Sequence, residues 1–209
     1  MSLPGTWVFA IGFMNKETID YYNRTADQYY WNTVGVDLGT MRKLFASYLP
    51  AEATIIDLGC GSGRDVMAFN DMGHNAIGLD ASEELVNLAK ERLHIRAIVG
   101  DISSWITNAP FDGIWCCASL IHLNDKEKEQ FFKNLNYNLK KDGVIYIAVK
   151  DGVETGFDEN GRFISNCTVE ELKTCLEEAG CRILEIRATE DVLGRDGFKW
   201  LNVIARKEA

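Results

Sequence analysis

The densest chemistry in this 209-residue chain lies in Asp57-Leu58-Gly59-Cys60-Gly61-Ser62-Gly63-Arg64-Asp65. Alternate glycines let the backbone turn tightly and let a ligand touch it without meeting a Cβ. A helix predicted to open at Arg64 adds unpaired N–H groups and a partial positive charge. Two common users of such loops are excluded by residue type. A dinucleotide fingerprint needs glycine or alanine where Arg64 stands, and a Walker loop needs Gly-Lys-Ser/Thr, which is absent. Asp57, just ahead of the glycines, disfavours a pyrophosphate and suits a ligand that is cationic at this point. Two further acids stand at the ends of the next two predicted strands. Asp80, followed by Ala81, can accept from both hydroxyls of a ribose. Asp101 can accept an adenine amino group while the Ile102 backbone meets a ring nitrogen. One such acid could equally cap a helix or turn; three in succession around one glycine loop describe a ligand site.

Strand ends are the right place for it, because open α/β sheets bind ligands beyond the carboxyl ends of their strands. After Pro50 the chain alternates strand and helix: strands over 54–58, 76–79, 96–99, 113–117 and 143–149, and helices over 64–72, 82–92 and 125–139. Ser82 and Asp125 read as helix caps, with Glu83 and Glu84 favouring the dipole of the second helix. The alternation implies a parallel sheet with right-handed crossovers and helices on both faces. The end differs: a helix capped by Thr168 runs to Ala179, and strands over 182–187 and 199–205 follow with no helix between them. They must pair antiparallel. Upstream, 16–48 reads as helical and aromatic-rich (Tyr21, Tyr22, Tyr29, Tyr30, Trp31), interrupted at Gly35 and Gly39 and closing on an amphipathic stretch, 41–49.

The organisation expected is one domain, 1–209, with a leader or edge segment at 1–15, a helical cap at 16–50 and a ligand-binding core at 51–209. The apolar run over 3–14 is too short to span a bilayer and lacks the basic region of a secretion signal. A net charge of −9 argues against nucleic acid as partner. Six cysteines without C-x-x-C spacing, and without a histidine at ligand spacing, argue against a metal site and for reduced thiols in a cytoplasmic protein.

With these motifs in place, the chain resembles the class I S-adenosylmethionine (SAM)-dependent methyltransferases, in particular the small single-domain bacterial enzymes that carry D-L-G-C-G-S-G-R-D. The resemblance spans about residues 20–206. It implies a Rossmann-like seven-stranded sheet in the order 3-2-1-4-5-7-6 with strand 7 antiparallel. It also implies SAM as cofactor and S-adenosylhomocysteine as product. It places Asp57, Gly59, Cys60 and Gly61 around the methionine moiety, Asp80 and Ala81 at the ribose, and Asp101 with Ile102 at the adenine. Arg64 is similar to an arginine that reaches the SAM carboxylate. Tyr22-Asn23-x-x-Ala26-x-x-Tyr29 resembles a Y-D-x-x-A-x-x-Y segment that folds over the cofactor, with Asn23 replacing the commoner Asp, so Tyr29 is a candidate lid residue.

The acceptor side is less determined. The turn after strand 4 carries Cys117-Ala118-Ser119-Leu120 in place of the [DN]-P-P-[YFW] of enzymes that methylate nucleobase or glutamine amino groups. Cys117 to Ser119 are expected to line the cofactor, with Ser119 able to hydrogen-bond it. His122 is the candidate general base or, equally, a loop anchor. Lys150, Arg162, Arg195 and Trp200 map near the active edge and could hold an anionic small molecule, or the charges could be solvated beside tight turns at Asn160-Gly161 and Asp196-Gly197. Tyr22 joins the candidate substrate residues. The reading is a methyltransferase for a small molecule, acting as a monomer or homodimer with no membrane partner. A SAM-binding regulatory protein without transfer is the alternative, and a nucleotide-dependent oxidoreductase is opposed by Asp57 and Arg64.

Overall fold

The structure, a computed structural model, describes residues 7–9, 15–195 and 198–208. In chain order its elements are β1 (Trp7–Phe9), α1 (Lys16–Arg24), α2 (Ala26–Thr33), α3 (Gly39–Ala46), β2 (Thr54–Leu58), α4 (Arg64–Asp71), β3 (Asn75–Asp80), α5 (Glu83–Leu93), β4 (Ala97–Val99), β5 (Trp105–Thr107), β6 (Phe111–Cys117), α6 (Asp125–Asn138), β7 (Leu139–Asp151), β8 (Gly156–Phe157), β9 (Phe163–Ile164), α7 (Val169–Glu178), β10 (Cys181–Thr189) and β11 (Lys199–Lys207).

Seven strands form one sheet in the order β10-β11-β7-β6-β2-β3-β4. Numbered by core strand, that is the expected 3-2-1-4-5-7-6. β4, β3, β2, β6 and β7 run parallel, and β11 lies antiparallel between β7 and β10. The reason is apolar patterning: β2 and β6 are buried along most of their length, as strands covered on both faces must be. One face packs Ile56, Leu79 and Ile147 against the α6 and α7 side chains Phe131, Leu135 and Leu172. The other packs Ile55, Ala76 and Tyr146 against Phe45 of α3, Val66 and Phe69 of α4, and Val86 of α5. On that second face Trp115 stacks on Tyr146 at 3.8 Å, with Phe45 and Phe69 edge-on to the indole.

Boundaries moved where local chemistry outweighed pattern. The cap of α6 is Asn124 rather than Asp125: its side chain accepts from the Glu127 N–H, and Glu127 returns a bond to the Asn124 N–H. Ser82 and Thr168 cap as expected. β7 starts at Leu139, four residues before the expected 143, because Leu139 pairs with Phe111 ahead of a bulge. Gly39 opens α3 instead of interrupting it, with its N–H donated to Asp37 Oδ1. Within 1–15, β1 adds an antiparallel edge to β5 in a small separate sheet; the rest of that segment, apart from Asn15, lies outside the described residues.

Candidate functional site

The carboxyl ends of β2, β3, β6 and β7 meet beneath α1 and α2. A cavity of about 450 Å³ lies there, running from Asp57, Gly59 and Arg64 to Lys150, Arg162 and Trp200. A smaller one of about 40 Å³ lies beside it, lined by Gly61, Asp80, Ala81, Ile102 and Ser119. Tyr22, Tyr29, Gly59, Cys117, Ala118 and His122 border both.

The glycine loop has its shape for a stated reason. Gly59 has φ +77° and Gly61 φ +50°, conformations that side chains rarely tolerate. A Cβ on Gly59 would overlap the Ser119 Cβ, and one on Gly61 would come within 2.9 Å of the Tyr29 ring. The loop is therefore bare backbone pinched between the β6 turn and the α2 tyrosine. Below it, Asp80 uses one carboxylate oxygen for the Gly61 N–H (2.8 Å) and the other for the Ser82 N–H (2.9 Å). Burial raises its pKa and these bonds pull it back. Each oxygen keeps a further lone pair for another donor.

Asp57 is buried against the cavity floor. Burial first, then the charge of Asp65, push its carboxyl well above the usual carboxylate range, while Arg64 opposes. Asp65 is the opposite case. Burial would raise it, but the guanidinium groups of Arg64 and Arg42 outweigh that and hold it low. It accepts from Arg42 Nη1 (2.6 Å), Arg64 Nε and Nη2 (3.0 and 2.7 Å) and Trp115 Nε1 (3.0 Å). Arg64 thus faces the cavity but is clamped from one side, with Nη1 turned toward the Thr33 carbonyl. The Arg64-Asp65 pair was visible in the motif; the two partners that complete it, Arg42 and Trp115, sit 23 and 50 residues from Asp65 and carried no local signal.

Three expected cofactor residues have their polar atoms turned to neighbours. The Ser119 hydroxyl donates to the Leu58 carbonyl and lies 3.1 Å from Cys116 Sγ. It ties the end of β2 to the β6 turn. Asp101 accepts from the Ser103 N–H and Oγ at 2.8 and 2.7 Å; Ile102, beside it, reaches the small cavity while Asp101 does not line it. Cys60, which borders the cavity, packs its sulfur beneath Gly78, and its N–H donates to the Leu79 carbonyl. Ala118, within the turn expected to line the cofactor, borders both cavities with φ +62° and donates its N–H to the Ala148 carbonyl. A left-handed alanine stores strain of the kind that gathers at functional turns, and no residue-type signal marks it.

His122 is buried, with both ring nitrogens occupied: Nδ1 lies 2.7 Å from the Phe163 carbonyl and Nε2 2.9 Å from Tyr22 Oη. A carbonyl only accepts, so Nδ1 carries the proton and Nε2 takes the Tyr22 O–H. Burial pushes the imidazole pKa down to about 4 and the Tyr22 hydroxyl up to about 12. Arg162 also hydrogen-bonds Tyr22, and Tyr22 stacks edge-on against Tyr29 at 5.2 Å. The arrangement pins α1 to the β9 strand across the cavity.

Further along, Arg162 Nε and Nη2 reach Asp158 Oδ2 at 2.8 and 2.6 Å, and Arg195 forks onto Asp191 at 2.9 and 2.7 Å. Trp200 Nε1 donates to the same Asp191 (2.7 Å). Asn160-Gly161 is the tight turn expected, with Gly161 at φ +78°; Asp196-Gly197 lies outside the described residues. The segment 189–195 borders the cavity together with the α2–α3 connection, and its contribution had no sequence signal beyond Arg195. Among the described residues no cluster of His, Cys, Asp or Glu could hold a metal ion, and the six cysteines are free thiols. No helix among them is long and apolar enough to cross a membrane.

A doubly wound sheet with a bare glycine loop and acids at successive strand ends defines a SAM-type cofactor fold. Comparisons with known proteins agree. The family model described as "Methyltransferase domain" matches residues 55–143. An uncharacterized methyltransferase of Geobacillus sp. is 25% identical over 204 residues, covering 92% of this chain and 88% of the relative. The fold matches 1,6-didemethyltoxoflavin-N1-methyltransferase of Burkholderia thailandensis with S-adenosylhomocysteine bound, at TM-score 0.73 and 19% identity over 100% of this chain and 98% of that one. It also matches a TehB-like SAM-dependent methyltransferase of Corynebacterium glutamicum, at TM-score 0.66 and 22% identity over 90% and 98%. Residues 55–143 match the methyltransferase domain family, and the fold is the one in which these SAM-dependent methyltransferases hold S-adenosylmethionine or its product.

The residues present fit that cofactor. Asp57 is a buried carboxyl raised by its surroundings, as a site awaiting a cationic group would be, and Gly59 and Gly61 form a cradle that a Cβ would fill.

Proposed function

We propose that this protein transfers the SAM methyl group to a small-molecule acceptor held in the 450 Å³ cavity. The observation that carries the reading is continuity: one chamber connects the glycine-loop floor at Asp57 and Gly59 with a wall built from Lys150, Ile164 and Trp200. Its size falls in the range of small-ligand pockets, and α1 and α2 close it with Tyr22 and Tyr29.

When bound, SAM supplies an activated methyl carried on a cationic sulfur. The protein then has to position and exclude water. In this reading Asp57 compensates the amino group, Gly59 and Cys60 present backbone, and Arg64, oriented by Asp65, meets the carboxylate. Asp80 with Ala81 holds the ribose, and Ile102 covers the adenine. Tyr29 lies over Gly61 as the lid. Cys117 and Ala118 bound the space where donor and acceptor meet.

His122 serves as an anchor rather than a base here. Its Nε2 lone pair is taken by Tyr22, and a conjugate acid with pKa about 4 makes a weak proton acceptor. An amine or thiolate nucleophile, which needs no enzymic base, suits the site best.

The test is labelled-methyl turnover on fractionated extract. Label from S-adenosyl-[methyl-³H]methionine is expected in the low-molecular-weight fraction. Label confined to protein or nucleic acid, or tight S-adenosylhomocysteine binding with no transfer at all, would overturn the proposal.

A further inference from the structure

The charges around Lys150 do not balance. Tyr146, Ala148 and Lys150 alternate along β7 and border the same cavity, and the register pairs Ala148 with Asn202 and Lys150 with Trp200. Three cations gather at this end: Lys150, Arg162 and Arg195. Two have a carboxylate each, since Asp158 is forked by Arg162 and Asp191 by Arg195. Nearby Lys199 has Glu190 at 3.2 Å. Lys150 has no ion-pair partner among the described residues. Its ammonium stands over the Phe198 ring at 4.5 Å and 6.0 Å from the Trp200 ring, so aromatic faces surround it where a counter-ion would be expected. Burial, then the charges of Arg195 and Arg162, push its pKa down. The ammonium is thus poised to gain from any anion that enters.

Position gives the anion a meaning. Ala148 pairs with Cys117, beside the turn where donor and acceptor meet. Lys150 is two residues further on, about 7 Å along the strand, and one strand spacing of about 5 Å to the side. That offset is the length of a small ring carrying an acidic group at one end and a nucleophile at the other. Trp200 offers the ring a fixed apolar face, because its N–H is tied to Asp191.

We propose that the acceptor is a small, flat-bodied organic anion, whose negative group docks on Lys150 between Arg162 and Arg195, whose body lies along Trp200, and whose nucleophile points to Ala118. The proposal rests on the methyl-transfer reading of the chamber and adds the acceptor's charge and orientation. Lys150 supplies the charge; Arg162 and Arg195, already clamped by their own carboxylates, set the field and shape around it.

Calorimetry on the full chain tests this. The protein is first titrated with S-adenosylhomocysteine, then the saturated complex is titrated with 4-aminobenzoate, 4-aminophenyl phosphate and the neutral isostere 4-aminobenzamide. At least one anion is expected to bind tenfold or more tighter than the amide, and the better of the two shows whether the site takes a carboxylate or a phosphate. In Lys150→Met that preference should vanish and in Lys150→Arg return, with S-adenosylhomocysteine affinity unchanged within twofold in both. The proposal fails if the amide matches both anions, if no probe binds at millimolar concentration, or if Lys150→Met keeps the preference. Failure of the underlying reading looks different: the first titration, with S-adenosylhomocysteine alone, would give no binding.

Discussion

The two ends of the chamber are built on different principles. At the β2–β3 end, function is carried by backbone: glycines with positive φ, N–H groups on Asp80, and a turn closed by Ser119 on Leu58. At the β7–β11 end it is carried by long side chains, such as Arg162 on Asp158, Arg195 on Asp191 and Lys150 beside Trp200. A backbone site has little freedom to vary and demands one kind of ligand. A side-chain site can be rebuilt without disturbing the sheet, which is where a family can change its acceptor while keeping its donor. The comparison predicts that substitutions at the first end cost both stability and cofactor affinity. Those at the second should leave the cofactor alone.

The largest effect is expected at Gly59. Gly59→Val adds strain at φ +77° and overlap with Ser119, together about 4 kcal/mol. Urea denaturation should show a strongly lowered midpoint. If Gly59→Val kept wild-type stability, the glycine loop would not be the rigid half of the pair.

His122 provides the next largest effect, read through pH. Its folded pKa is about 4, against an ordinary 6.5. Between those values the unfolded chain binds more protons, so stability rises with pH there. The contribution is complete above about pH 6.5, declines as pH falls, and is gone below about 4. A shift of this size is worth about 3 kcal/mol. Denaturation midpoints for wild type should therefore fall more steeply between pH 7 and 4 than those of His122→Gln. Parallel curves would mean the imidazole is not held neutral.

At Asp80, loss of the carboxylate removes the acceptor proposed for the ribose and frees the Gly61 N–H. Asp80→Ala is expected to weaken S-adenosylhomocysteine about 100-fold, near 3 kcal/mol, as for two charge-assisted hydrogen bonds. Calorimetry measures it directly. An affinity within threefold of wild type would remove Asp80 from the site.

The same division decided what could be read from sequence. The strand–helix alternation, the terminal hairpin and the glycine loop follow from apolar runs and from residues that are neighbours in the chain, whereas the strand order came from the family resemblance. Thr54–Leu58, with the motif behind it, was legible to the residue. Asp101 was placed at the right strand end, yet its carboxylate is occupied by Ser103, a competition between a ligand and a local turn that residue types do not resolve. The tie between Tyr22 and His122 spans 100 residues, and nothing periodic announces it. Asp191 went unnoticed for a different cause: Arg195 and Trp200 lie only four and nine residues away, but in a loop without helical or strand periodicity to bring them together.

Tyr22 should give the smallest effect and the sharpest discrimination, because it lies between the two ends. Tyr22→Phe keeps the ring against Tyr29 and deletes the O–H given to His122. A buried Nε2 lone pair is then unsatisfied, at about 1 kcal/mol or somewhat more, and thermal unfolding should report the loss. Cofactor affinity should stay within twofold, since the hydroxyl points to the α1–β9 tie rather than to the glycine loop. If S-adenosylhomocysteine binding instead fell tenfold while stability held, the hydroxyl would belong to the cofactor half. The boundary between a backbone-built donor site and a side-chain-built acceptor site would then have to move from Tyr22 to Lys150.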